Sequence, residues 1–374
     1  MSPFPREAYQ PLEPYAPDRR PVEVDLSDNT NRWGAHPGAL RAIREADPES
    51  LLRYPSVYAD GLKAALSARY GVPASAISTG CGSDDLLDSV FRAAGEPGDG
   101  VAYLPPTFSM VEIFARMNGL EPRPVASPPP EAPGALGALP DPEALLAAAA
   151  GDGSRGPGLV YLCRPNNPTG ELQPRGWVDA LVQGSAALGD RAPILLIDEA
   201  YADFASDAYL KDAPSLHRVL VVRTLSKLHG LAGLRVGFAV GSPEVIREVE
   251  KSRGPYKVNR LAELAALAAL NDPEGWVEDV RIEMLKGRAR LTFELAARGY
   301  TPLPSAANFV FVPVDDAVAL TAYLRIKGIA VRPFAAPETE TDASVPTLGD
   351  GIRISVGPPH EIDALLAALD DLNP

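Results

Sequence analysis

Lys227 stands just past the end of a short, β-branched apolar run at 219–222, and Arg235 follows it by eight residues in VLVVRTLSKLHGLAGLRVGF (219–238). Such a run is expected of a strand buried on both faces of a parallel sheet. Ligands in open α/β sheets bind at the carboxyl ends of strands. An amine held there is suited to attack on a carbonyl carbon. Thr224, Ser226 and Arg235 supply two hydroxyls and a forked guanidinium, a donor set that suits a phosphate. Read alone, the stretch also admits an ordinary loop carrying an exposed lysine.

Three further segments must be positioned around that lysine. Arg164-Pro165-Asn166-Asn167-Pro168-Thr169-Gly170 follows the strand-like run 159–163, and Ile194-Leu195-Leu196-Ile197 runs into Asp198-Glu199-Ala200-Tyr201. Upstream, Thr79-Gly80-Cys81-Gly82-Ser83-Asp84-Asp85 leads into the helix-periodic LLDSVFRAAG. Glycines ahead of a helix expose backbone N–H groups to an anion, and the helix dipole favours its charge. The same turn also reads as a simple helix cap, with Ser83 or Asp84 taking up orphan donors.

In this order the four segments resemble the fold type I pyridoxal phosphate (PLP) enzymes, the family that includes the class I and II aminotransferases. The resemblance implies an α/β fold, with a large domain whose mostly parallel sheet is sandwiched by helices and a smaller α+β domain. It also implies PLP as cofactor. By that likeness Lys227 carries the cofactor covalently and Asp198 faces the pyridine nitrogen. Asn167 and Tyr201 contact O3′, Phe108 of Pro105-Pro106-Thr107-Phe108-Ser109 stacks on the ring, and Gly82, Ser83, Asp84, Thr224, Ser226 and Arg235 surround the phosphate. PLP is an electron sink only while its ring nitrogen is protonated, and a buried carboxylate keeps the proton there. Phe108 is equally a core aromatic.

The finer resemblance is to the histidinol-phosphate aminotransferase branch, from about Tyr15 to the end. Its marks are Arg53-Tyr54-Pro55, the Gly-Ser-Asp loop, Ser226-Lys227 with Gly230-Leu231-Ala232-Gly233-Leu234-Arg235, the segment Pro255-Tyr256-Lys257-Val258-Asn259, and the pair Arg332 and Arg353. Gly351-Ile352-Arg353-Ile354-Ser355-Val356-Gly357 alternates as a strand does, with Arg353 on one face. Two guanidiniums hold a dianionic phosphate ester better than one, although Arg332 also reads as a solvated strand end. The likeness further implies glutamate and 2-oxoglutarate as the donor and acceptor pair, and a homodimer in which Tyr54 reaches the neighbour's PLP phosphate and Tyr15 the neighbour's substrate.

Some positions depart from the branch: Cys81 in place of Asn, Phe108 in place of Tyr, Leu228-His229, Lys257, and Tyr15-Ala16-Pro17-Asp18 without the usual glycine. These leave an aromatic amino acid aminotransferase open, as well as an O-phosphothreonine decarboxylase-like PLP lyase. A nucleotide-binding oxidoreductase is disfavoured because no Gly-x-Gly-x-x-Gly opens a helix after the first strand. A binding protein without catalysis is disfavoured by the intact Lys227, Asp198 and Arg353.

With 374 residues, 46% hydrophobic and 22% charged, the chain has room for two cores. The expected division is an N-terminal arm at 1–44, a large domain at 45–270, and an interdomain helix with a small domain at 271–374. A net charge of −14 argues against nucleic acid or anionic membrane as partners, while local arginines can still hold an anionic substrate. Cys81 and Cys163 lie in separate elements and imply no disulfide. His36, His217, His229 and His360 are too scattered to ligate a metal. No apolar leader or spanning run is present, so the cytoplasm is the expected compartment. The interval 126–140 reads as a surface connector. Asp141-Pro142-Glu143 and Asp272-Pro273-Glu274 both read as helix starts, the second opening a long helix between the domains.

Overall fold

The computed structural model describes residues 4–14, 16, 18, 20–128, 137–151, 156–334 and 349–372. Twelve strands lie among them: β1 (Val24–Asp25), β2 (Ile77–Cys81), β3 (Gly100–Tyr103), β4 (Glu121–Pro124), β5 (Leu159–Cys163), β6 (Ile194–Asp198), β7 (Val219–Thr224), β8 (Val236–Gly241), β9 (Phe309–Pro313), β10 (Ile329–Ala330), β11 (Arg332–Phe334) and β12 (Gly351–Ser355). Seven of these form one sheet in the order β2-β8-β7-β6-β5-β3-β4. Its β7-β6-β5-β3-β4 part is parallel, and β8 runs antiparallel to both β2 and β7.

The apolar strands of this sheet are buried on both faces, and period-two alternation sorts their side chains. Val160, Leu162, Leu195, Ile197, Val219 and Val221 enter one core. Leu159, Tyr161, Cys163, Leu196, Leu220 and Val222 enter the other, which helix Gly82–Ala94 closes through Leu86, Leu87, Val90 and Phe91. The same alternation sends Asp198, next after Leu196 on that face, toward Tyr161 and Cys163.

A three-stranded antiparallel sheet, β11-β12-β9, comes from the C-terminal part of the chain, and β10 from the same part pairs in parallel with the N-terminal β1. They share a core with Leu291, Leu295, Leu365 and Leu366 of helices Trp276–Ala297 and Pro359–Asp370. Through β1 the N-terminal segment therefore packs with residues some 300 positions further on, Val24 pairing with Ile329.

Asp141 behaves as its sequence context suggests: its carboxylate accepts from Glu143 N, and Pro142 starts helix Pro142–Ala150. Asp272 does not. It ends helix Arg260–Asn271 in the left-handed region, with φ of 30°, and the long helix begins only at Trp276. The Asp272 carboxylate still serves that helix, accepting from Trp276 N at 3.0 Å and Val277 N at 2.9 Å. A single aspartate thus closes one helix and caps the next. Among the described residues no helix is long and apolar enough to cross a membrane.

Candidate active site

The carboxyl ends of β5, β6 and β7 deliver Asn167, Asp198 and Lys227 to one place. Asp198 is buried. Tyr161 Oη donates to its Oδ2 at 2.8 Å, and Ala200 N donates to its Oδ1 at 3.0 Å. Both partners are neutral, so burial prevails and pushes the carboxyl up to about 6. A charged carboxylate at this depth calls for a cation.

Lys227 Nζ donates to Asp28 O at 3.3 Å and lies 5.5 Å from the centre of the Tyr201 ring. Desolvation, together with the positive charge of Arg353, lowers its ammonium to about 8. This brings a substantial neutral fraction near physiological pH, as a nucleophilic amine requires. Burial pushes the Tyr201 hydroxyl up to about 12, so it stays protonated.

Arg353, buried on β12, donates from Nη1 to Asn167 Oδ1 at 2.6 Å and from Nη2 to Ser27 O at 2.7 Å. An arginine can only donate, so Asn167 must turn its oxygen toward it, leaving Nδ2 as the free donor edge of that amide. Arg332 is the cross-strand partner of Arg353 in the β11-β12 register. Directly opposed residues of an antiparallel pair share a face, and like charges so placed repel.

A second group lies where helix Gly82–Ala94 begins. Thr224 Oγ1 and Ser226 Oγ are 2.8 Å apart and buried, and Arg235 Nη2 donates to Asp84 Oδ2 at 2.9 Å. Backbones approach closely here. A Cβ on Gly82, with φ of +77°, would collide with the Arg235 guanidinium, and one on Gly237 with the backbone of Gly82 and Ser83. Ser83 and Asp84 are not the helix cap. They lie in the first turn, and Cys81 N is instead bonded by Asp85 Oδ2 at 3.1 Å. Helix N–H groups, two hydroxyls and a guanidinium together fit a phosphate. The buried carboxylate with neutral partners, beside a lysine of lowered basicity, fits the ring and aldehyde of PLP.

Phe108 is partly buried against the core next to helix Gly82–Ala94. Its loop is tied to the Asn167 turn by Thr107 Oγ1, which bonds Asn166 Oδ1 at 2.9 Å. Tyr54 stands apart from this group on the surface, 79% exposed and stacked on Tyr256 at 4.8 Å between ring centres. Tyr15 lies outside the described residues. Of the departing positions, Lys257 Nζ bonds Asp85 Oδ1 at 3.0 Å, Cys81 is exposed and His229 is buried.

Two participants escape sequence reasoning. Tyr161 reads as one more core aromatic until the β5-β6 register, pairing Tyr161 with Leu196 and Cys163 with Asp198, sets it on the Asp198 face. Asn29 adopts φ of 54°, donates from Nδ2 to Tyr201 Oη at 3.1 Å and accepts from Ser355 Oγ at 2.9 Å. Its neighbours Ser27 and Asp28 offer their carbonyls to Arg353 and Lys227. A polar segment hundreds of residues distant carried no local sign of this role.

The profile of the family described as Aminotransferase class I and II matches residues 21–369. The chain belongs to this family. It is similar to the aromatic amino acid aminotransferase of Thermobifida fusca, with 35% identity over 97% of this chain and 96% of that one. It is also similar to the histidinol-phosphate aminotransferase of Roseiflexus castenholzii, with 37% identity over 96% of each chain. Among solved structures, the histidinol-phosphate aminotransferase of Sinorhizobium meliloti in complex with pyridoxal-5'-phosphate superposes with a TM-score of 0.78. That match has 29% identity and covers 94% of this chain and 91% of that one. The class I and II fold is therefore the expected fold type I α/β architecture, the chain is a PLP-dependent aminotransferase, and PLP is its cofactor.

Proposed function

We propose that this aminotransferase uses histidinol phosphate as amino donor and 2-oxoglutarate as acceptor, giving imidazole acetol phosphate and glutamate. The observation that carries the reading is the register that sets Arg332 directly opposite Arg353. Two guanidiniums on one face offer two forked donor sets to one anion, and a phosphate dianion suits such a pair better than a carboxylate does.

In this reading Lys227 would hold the cofactor covalently at rest and, once released, would carry the proton to and from the reacting carbon of the substrate. Bound PLP supplies the electron sink. Asp198 would keep a proton on the ring nitrogen, and Asn167, Tyr201 and Phe108 would hold the ring. Ser83, Asp84 and Gly82 at the helix start, with Thr224, Ser226 and Arg235, hold the phosphate.

We further propose a large domain at 45–270 and a small one from the arm at 1–44 together with 271–374, in a homodimer whose sites are shared. Tyr54, Leu51 and Leu52 are 79%, 74% and 77% exposed. So apolar a surface strip supports cover by a second copy, which would bring Tyr54 to the neighbour's PLP phosphate.

A second reading, transamination of aromatic amino acids, is favoured by the Thermobifida fusca relative and by Arg353, whose fork alone can grip a carboxylate. Spectral titration of the purified holoenzyme with histidinol phosphate, phenylalanine and glutamate separates the two. The first donor should convert the enzyme with the highest kcat/KM. A higher value for phenylalanine would replace the substrate assignment, and release of carbon dioxide in place of a keto product would replace transamination itself.

A further inference from the structure

We propose that Tyr161 is a positioning residue, which through its hydroxyl aims the Asp198 carboxylate and keeps it ionised for the cofactor ring. The inference rests on the reading of Asp198 as the partner of the ring nitrogen. Asp198 sits at the end of β6 with neutral hydrogen-bond partners, and one of its two hydrogen bonds comes from the backbone N–H of Ala200. Tyr161 supplies the other. It is buried in the middle of β5, and the β5-β6 register leaves it on the same face as Asp198 and Cys163.

Three features make this hydroxyl a dedicated donor. Burial holds the phenol well above its ordinary pKa, so it does not ionise in the working range. Its 2.8 Å reach to Oδ2 is short enough for a charge-assisted bond. Its ring is fixed by the core that contains Tyr103, Leu159 and Leu196, so the donor is aimed by packing and not by a mobile side chain. Donation to the charged form favours ionisation against the opposing effect of burial. With Tyr161 on Oδ2 and Ala200 N on Oδ1, both oxygens are fixed in direction and each keeps acceptor capacity toward the cofactor side.

The test begins with protein stripped of cofactor. Aspartate labelled with ¹³C at Cγ reports each carboxyl's titration, and the resonance missing from Asp198→Asn identifies Asp198. In Tyr161→Phe its midpoint should rise by about one pH unit, the equivalent of a tenfold loss of preference for the charged form. Site-specific 3-fluorotyrosine at position 161, a more acidic donor of nearly the same shape, should lower the midpoint. An unchanged midpoint in both proteins overturns the proposal, and the fluorinated protein keeps the test decisive should the phenylalanine variant fold poorly.

In the holoenzyme, Tyr161→Phe should reduce kcat roughly tenfold with the donor KM unchanged, and should change kcat less than about twofold in an Asp198→Asn background. Equal losses in both backgrounds would mean that Tyr161 does not act through Asp198. Were Asp198→Asn itself harmless to turnover, the ring-nitrogen assignment would fall, while the titration of the cofactor-free protein would still decide the role of Tyr161.

Discussion

Asp198 and Glu199 are consecutive buried carboxylates at the end of one strand, and they are treated in opposite ways. Glu199 receives Arg223 from Nε at 3.0 Å and Nη2 at 2.8 Å, together with the backbone N–H of Tyr209. Arg223 reaches on to Asp203 at 3.1 Å. Burial alone would lower this guanidinium, but the charges of Glu199 and Asp203 outweigh it and raise it above its ordinary value. Asp198, one residue earlier, has only neutral donors and is pushed up to about 6. The difference separates a charge completed by the fold from one left for a ligand to complete. Arg332 and Arg353, opposed across two strands, set two like charges face to face.

The largest break in this comparison is Asp198→Asn, which should lower turnover by several orders of magnitude because an amide does not keep the ring nitrogen protonated. The same change should stabilise the cofactor-free protein. The folded pKa of about 6 lies above the ordinary 3.8, so ionisation opposes folding: the opposition is absent below about pH 4 and complete above about pH 6. Removing it is worth roughly 3 kcal/mol at pH 7. Urea unfolding of the two cofactor-free proteins from pH 4 to 8 measures this, and a variant no more stable than the parent at pH 7 would contradict it.

Glu199→Gln should do the reverse. It leaves Arg223 buried with a weakened partner, at a cost of about 3–5 kcal/mol in unfolding free energy, while kcat per folded molecule changes little. Loss of kcat with full stability would place Glu199 in the chemistry instead.

Arg353→Lys and Arg332→Lys sharpen the comparison at the substrate side. Each should lower kcat/KM for histidinol phosphate by roughly tenfold to a hundredfold, about 1.4–2.7 kcal/mol, because a point charge does not reproduce parallel forked bonds. An amine without an anionic group should lose much less. Equal losses for both donors would mean that the arginines serve the fold and not the substrate.

The smallest effect concerns Lys227. With its ammonium lowered to about 8 by desolvation and by Arg353, the neutral amine grows as pH rises toward 8 and saturates above it. The rate at which cofactor-free enzyme captures PLP covalently should therefore rise about tenfold per pH unit below 8 and level off beyond. In Arg353→Gln the rise should move to higher pH, since one of the charges opposing the ammonium is gone.

Much of this arrangement was legible in the chain because it is local. The apolar runs ending in Thr224, Asp198 and Cys163 are complete strand-to-loop units, and the glycine-led helix start at Gly82 carries its tight turn in its own backbone. What escaped depends on register or distance. Tyr161 differs from any buried strand tyrosine only through the strand beside it. Asn29 meets Tyr201, Ser355 and Asn308 from the other end of the chain. The boundary at Asp272 was displaced because Asp272 itself is left-handed and residues 273–275 separate it from the helix that it caps. The pairing of Arg332 with Arg353 was suggested by kinship alone, and only the antiparallel register makes it a physical argument.

The covalent role proposed for Lys227 comes first, because the roles of every other residue in the site follow from it. Borohydride reduction of the purified yellow holoenzyme, followed by peptide mapping, addresses it directly. The pyridoxyl group should be found on Lys227, and Lys227→Ala should show no reducible linkage while still binding PLP through its phosphate. A label on another lysine, such as Lys211 or Lys257, would contradict the account.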